Sequence, residues 1–238
     1  MKIGLFDSGI GGLNVLAEFI KKYPNNTYYY YGDTKNVPYG EKDKETLLNL
    51  SSNIIKFFES KAVDLIIIAC GTVSSNCYHE LKKITNIPIY DIISPTIEYV
   101  NTLRNSKVLV FGTKRTIESH IFKNNLINDV KEVATREFVP MIESSLIDDF
   151  MIKKYLDKEN PDVLVLGCTH YPLLKARFKK YLSHDAIIVD MGKVLVNKLN
   201  LTSNSKQKIN LYFTKVDDIL KNNINNILTY SYSLYEIK

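Results

Sequence analysis

Two cysteines stand in matching frames. Cys70 closes the run Asp64-Leu65-Ile66-Ile67-Ile68-Ala69-Cys70, and Cys168 closes Asp162-Val163-Leu164-Val165-Leu166-Gly167-Cys168. Each frame passes from an acidic residue through branched apolar residues and one small residue to a thiol. Gly71-Thr72 follows the first thiol, and Thr169-His170 follows the second. A lone buried cysteine is usually a packing residue. Two thiols at equivalent points of similar segments point instead to chemistry that uses two like groups on one substrate. Removing a proton from one face of a carbon and returning one to the other face is such a chemistry. At neutral pH only a few per cent of an unperturbed thiol, pKa about 8.5, is ionised. A working pair therefore needs help to hold one sulfur deprotonated and the other protonated. His170, if protonated, favours a thiolate beside it. Asp7 has two roles open to it, accepting a proton or orienting a substrate cation.

Other candidates carry weaker signals. Asp7-Ser8-Gly9-Ile10-Gly11-Gly12 reads as a polar turn whose amides suit a phosphate, a carboxylate or a simple helix cap. It is not G-x-G-x-x-G, and no Walker lysine follows. Pro38-Tyr39-Gly40 is a stiff loop with one aromatic that can close on a ligand. Cys77 lacks a frame and reads as packing, and Asn76 stands where a C-x5-R phosphate loop needs arginine. His79, His120 and His184 read as surface groups. The run Tyr28 to Tyr31 reads as strand packing.

The elements that must position these residues alternate strand and helix. Ile3 to Phe6 is a short strand; Leu13, Leu16, Phe19 and Ile20 recur at helical spacing. Thr27 to Tyr31 favours β, and Leu47 to Phe58 defines a second amphipathic helix. Leu65 to Ile68 is a continuous apolar run of the kind buried on both faces of a parallel sheet. A helix is expected from about Ser74 to Ile84. The pattern then restarts. Lys107-Val108-Leu109-Val110-Phe111-Gly112-Thr113 echoes Lys2-Ile3-Gly4-Leu5-Phe6-Asp7-Ser8. A helix-like stretch follows from Ile117, then a short run at Glu137 to Pro140, then a helix over Ile147 to Leu156 before Val163 to Leu166. The fold class expected is α/β: two pseudo-symmetric α/β domains with mainly parallel sheets and a site in the cleft between them. The division expected is residues 1–95 plus about 195–238 for the first domain and 96–194 for the second. A strand at Ile209 to Thr214 is expected within the returning C-terminal segment.

Bulk properties narrow the class. The 238 residues are 45% hydrophobic with a net charge of +5, which suits a globular protein with a sizeable core. The basic residues are scattered, so no nucleic-acid footprint is read. Three cysteines argue for reduced thiols and a cytoplasmic setting rather than a disulfide framework. No metal-ligand spacing occurs, and no apolar run approaches the ~20 residues of a membrane span.

At these residues the chain resembles the glutamate racemases of the cofactor-independent Asp/Glu racemase superfamily, over nearly its whole length. Asp7 to Gly12 is similar to the family's opening motif, and Tyr31-Gly32-Asp33-Thr34 through Val37-Pro38-Tyr39-Gly40 to its substrate loop. Ala69-Cys70-Gly71-Thr72 is similar to the first cysteine motif. Leu166-Gly167-Cys168-Thr169-His170-Tyr171-Pro172-Leu173-Leu174 is similar to the second and is the most specific of the set. Val139 to Glu143 resembles a stretch that carries a glutamate, and Thr113 to Thr116 a substrate-contacting segment. The resemblance implies conversion of L- to D-glutamate for peptidoglycan, with no cofactor and no metal. By carry-over Cys70 and Cys168 are the acid/base pair, with Asp7 assisting Cys70 and His170 with Glu143 assisting Cys168. Ser8, Pro38, Tyr39, Gly40, Gly71, Thr72, Thr116 and Thr169 hold the substrate. A homodimer is also implied. One departure stands out: the family usually has asparagine after the first cysteine, and this chain has Gly71.

Three other readings are weighed beside this one. They are a racemase of another amino acid such as aspartate, a non-catalytic amino-acid-binding relative, and a nucleotide binder using the Gly9 to Gly12 turn.

Overall fold

In the computed structural model, residues 1–202 and 206–237 are described; residues 203–205 and 238 of the expected C-terminal segment lie outside them. The chain opens with β1 (Lys2–Asp7), α1 (Gly12–Lys22), β2 (Thr27–Gly32), α2 (Lys44–Ser60), β3 (Leu65–Ile68), α3 (Gly71–Leu81), β4 (Ile89–Asp91) and α4 (Ile93–Thr102). It continues with β5 (Lys107–Gly112), α5 (Lys114–Glu118), α6 (Ile121–Asn125), β6 (Asp129–Ala134), α7 (Phe138–Glu143) and α8 (Asp149–Leu156). Next come β7 (Val163–Leu166), α9 (Lys175–Tyr181), β8 (Ile187–Asp190) and α10 (Met191–Lys198). The last elements are β9 (Lys208–Phe213), α11 (Asp218–Ile227) and β10 (Ser233–Glu236).

The strands form two parallel sheets, ordered β10-β9-β2-β1-β3-β4 and β6-β5-β7-β8. The expected α/β class with parallel sheets is the class found. The run β2-β1-β3-β4 repeats as β6-β5-β7-β8, and the repeat extends to single bonds. The carboxylate of Asp64 accepts the Lys2 amide at 2.7 Å, and that of Asp162 accepts the Lys107 amide at 2.7 Å. The Ala69 amide donates to the Phe6 carbonyl at 2.9 Å, and the Gly167 amide to the Phe111 carbonyl at 2.7 Å. The acidic residue that opens each cysteine frame thus pins its strand to the first strand of its sheet. The small residue that closes the frame fixes where the next side chain emerges.

Packing follows the sequence pattern. Leu65 to Ile68 and Val163 to Leu166 are buried throughout, as runs covered on both faces must be. Tyr28 and Tyr30 turn into the core from β2, while Tyr29 and Tyr31 pack against Tyr212 and Phe57. One face of both sheets shares a single core with α1, α4 and α10. The opposite faces are covered separately, by α2 and α3 on the six-stranded sheet and by α7 to α9 on the other. Cys77 is buried in the first of these outer cores.

The structure corrects several expected boundaries. α3 begins at Gly71, directly after Cys70, not at Ser74. The helix expected from Ile117 is two short helices, broken at His120, which has φ 52. The run Glu137 to Pro140 enters α7, and the strand of that region lies earlier, at Asp129–Ala134. Pro140 is tolerated because its missing N–H falls in the first turn, where amides have no helical partner. The C-terminal strand pairs with β2, and the Asn-rich tail beyond it holds α11 and β10.

Candidate active site

The carboxyl ends of the two sheets face one cavity of about 290 Å³. That size is at the small end of ligand sites, which run from about 300 Å³ upward. Asp7 and Ser8 enter it from the end of β1, and Cys70, Gly71 and Thr72 from the start of α3. Cys168, Thr169 and His170 enter after β7, and Glu143 from the end of α7. Pro38, Tyr39 and Gly40 form a third wall. Thr116 is not on the lining. It is buried behind Thr113, with 2.9 Å between the two hydroxyls. Thr113 caps α5 and does line the cavity. Val37, of the expected substrate loop, lines it too, as do Glu41, Thr135 and Arg136, which the sequence reading missed. Thr135 and Arg136 follow β6 directly, so finding β6 at its true place would have found them.

Asp7 is fully buried, and its Oδ2 accepts the amides of Gly9 at 3.3 Å and Gly12 at 2.9 Å. Amides that a phosphate would need are held by the protein's own carboxylate. Oδ1 faces the hydroxyl of Thr169 at 3.5 Å. Thr72 meets Thr113 across the cleft with 2.9 Å between hydroxyls. Arg115 Nε donates to the Lys42 carbonyl at 2.8 Å. The loop wall is fixed from behind. Asp33, 2% exposed, accepts from the Tyr39 hydroxyl at 2.6 Å and from Thr214 at 2.8 Å. Tyr39 is therefore a buried part of the wall, anchored at its hydroxyl. The Val37–Pro38 peptide is cis.

The two thiols have unlike surroundings. Burial pushes the Cys70 thiol up strongly, and the charge of Asp7 pushes it further. The amides of Val73 and Thr72, at the start of α3, oppose both effects. Cys168 Sγ lies 3.7 Å from His170 Nδ1, and His170 Nε2 lies 3.1 Å from Glu143 Oε1. Burial works against a charged imidazole here. The bonds to Cys168 and Glu143, with the charges of Cys168 and Asp7, outweigh it and raise His170 to about 10. One thiol is thus held protonated, and the other sits beside a cation. Among the described residues no cluster of His, Cys, Asp or Glu could hold a metal ion, and no helix is long and apolar enough to cross a membrane.

The chain is similar to known proteins over most of its length. The model of the Asp/Glu/hydantoin racemase family matches residues 14–199. The chain belongs to the Asp/Glu/hydantoin racemase family. As a racemase of amino acids it is an isomerase. It is 36% identical to a glutamate racemase of Aquifex pyrophilus over 233 residues, covering 93% of this chain and 91% of that one. It is 35% identical to a glutamate racemase of Campylobacter jejuni, covering 93% and 96%. The crystal structure of a glutamate racemase from Campylobacter jejuni superposes with a TM-score of 0.88 at 34% identity, covering 95% of this racemase and 97% of that one. A glutamate racemase from Francisella tularensis, solved with D-glutamate, superposes with a TM-score of 0.87 at 28% identity, covering 100% and 97%.

Proposed function

We propose that this racemase interconverts L- and D-glutamate by proton transfer between Cys70, Cys168 and the two faces of the substrate Cα. One observation carries the reading. Two thiols on register-matched strand ends line the same cavity, and their electrostatic surroundings are opposite. The names of the relatives, and the D-glutamate held by one of them, favour glutamate as the substrate.

The chemistry follows from those surroundings. Cys168, beside the His170 imidazolium, acts as base toward one enantiomer, while protonated Cys70 supplies a proton to the opposite face. For the reverse reaction the roles exchange, and the amides at the start of α3 then hold the Cys70 thiolate. Glu143 keeps His170 oriented and charged, and Asp7 offers Oδ1 to the substrate ammonium or to the proton of Cys70. Charge that spreads onto the α-carboxylate as Cα loses its proton is met by backbone amides and by the hydroxyls of Ser8, Thr72 and Thr169. Fixed donors aimed at developing charge lower the barrier most in a site that excludes water.

The same proposal includes a cytoplasmic role in supplying D-glutamate for peptidoglycan, a homodimer, and division into residues 1–95 plus about 195–238 and 96–194. Incubation with either glutamate enantiomer in deuterated water tests the chemistry. Deuterium at Cα and decay of the circular dichroism of glutamate are expected. A folded sample that leaves Cα unlabelled would remove the proposal.

A further inference from the structure

Gly71 and Gly167 touch across the cleft. A Cβ placed on Gly71 would lie 2.6 Å from the carbonyl oxygen of Gly167 and 3.5 Å from Met191 Cε. The first approach is closer than packed atoms allow, and the oxygen belongs to backbone. That backbone is wedged in turn: the Gly167 amide donates to the Phe111 carbonyl at 2.7 Å, and a Cβ on Gly167 would lie 2.5 Å from the same oxygen. Nothing in the conformation of Gly71 calls for glycine, since no glycine among the described residues has positive φ. Its place in the first turn of α3 does not call for it either, because alanine is the better helix residue. Space is the reason that remains.

The contact joins the two cysteine turns. Gly71 follows Cys70, and Gly167 precedes Cys168. We propose that Gly71 is a positioning residue that sets the spacing of the two thiols, by letting their turns meet backbone to backbone. This inference rests on the two-thiol reading above. A side chain at 71 must displace the first turn of α3 with Cys70, or the end of β7 with Cys168. Either shift widens the gap across which both sulfurs must reach one carbon. Misplacement of reacting groups by about 1 Å costs on the order of 10²-fold in rate.

The test is Gly71→Ala and Gly71→Asn in the full chain, beside wild type. The expected result for Gly71→Ala is a kcat lower by roughly 10- to 100-fold, with KM nearly unchanged. The primary isotope effect with Cα-deuterated glutamate rises, because proton transfer itself has slowed, a change that lost stability alone does not produce. Gly71→Asn restores the amide common in the resembled family but not the space, and falls further. A Gly71→Ala enzyme with wild-type kcat, or with a change in KM alone, overturns the inference. A crystal structure of wild type with D-glutamate gives a second reading that needs no variant. Gly71 and the Gly167 carbonyl are expected in contact, and a gap that admits a methyl group overturns the inference. Wild type without Cα exchange counts against the two-thiol chemistry, whereas a fully active Gly71→Ala beside an active wild type counts against the spacing role alone.

Discussion

Glu143 Oε1 lies 3.1 Å from His170 Nε2, on the side of the ring opposite Cys168. The ring is buried, and the glutamate keeps part of its side chain in solvent. A neutral amide at 143 can still bond the ring but cannot favour its charge. Glu143→Gln should therefore bring the His170 titration down from about 10 toward the ordinary histidine value of about 6.5. Turnover should fall about tenfold, less than the 10² to 10⁴ of a group that transfers the proton itself. Titration of the imidazole carbon-bound protons by NMR checks the first effect. An unmoved His170 titration in the variant would contradict the ion-pair account.

The same ring makes stability depend on pH. Its folded pKa is raised to about 10, against about 6.5 in the unfolded chain. Its contribution is thus complete below about pH 6.5 and is lost as pH rises through about 10. Cys70 acts in the same sense, since its folded thiol is pushed up while the unfolded thiol ionises near pH 8.5. The urea midpoint should decline between pH 7 and pH 10, and more steeply in wild type than in His170→Gln. A midpoint that rises across that range, or equal slopes in the two proteins, would go against this assignment.

Tyr39 and Thr214 share Asp33, at 2.6 Å and 2.8 Å. Through that carboxylate, the residue directly after β9, from the far end of the chain, braces the loop that walls the cavity. Tyr39→Phe removes a donor from a buried acceptor, which costs about 1–3 kcal/mol. A lower melting temperature and a raised KM for glutamate, with kcat less affected, are expected. Calorimetry and steady-state kinetics read the two effects. An unchanged KM would mean that the loop keeps its place without the brace.

Much of this architecture is legible in the sequence because buried parallel strands announce themselves. Leu65 to Ile68 and Val163 to Leu166 are unbroken branched runs, and the acidic residue before each is explained by a bond to its neighbour strand. That Cys70 and Cys168 close equivalent frames could be read from the sequence alone. The edge strands were not legible. Asp129–Ala134 carries Asp129, Lys131 and Glu132, and Ser233–Glu236 is largely exposed, so neither shows the apolar signature. Missing the first concealed Thr135 and Arg136. The start of α3 was hidden as well, because Gly71, Thr72 and Ser74 are weak helix formers; the end of β3 and the core behind it decide that turn. Thr116 faces away from the cavity because Thr113 caps α5, and the cap turns the Thr116 amide and hydroxyl back onto itself.

Replacement of each sulfur separates a two-base mechanism from its rivals. Cys70 and Cys168 are 4% and 7% exposed at the cavity wall, and truncation there opens space toward an existing cavity rather than inside a packed core. Cys70→Ala and Cys168→Ala should therefore fold, with melting temperatures close to wild type. Each should lose racemisation by roughly 10³-fold or more, the scale of removing a direct proton-transfer group. The residual chemistry is the sharper readout. One remaining thiol can take the proton from the enantiomer that faces it and return a deuteron to the same face. In deuterated water Cys70→Ala should then label one enantiomer of glutamate without inverting it, and Cys168→Ala should label the other. NMR of the recovered glutamate, with chiral chromatography, reads both. The same enantiomer labelled by both variants, or full racemisation by either, would show that the two sulfurs do not serve opposite faces.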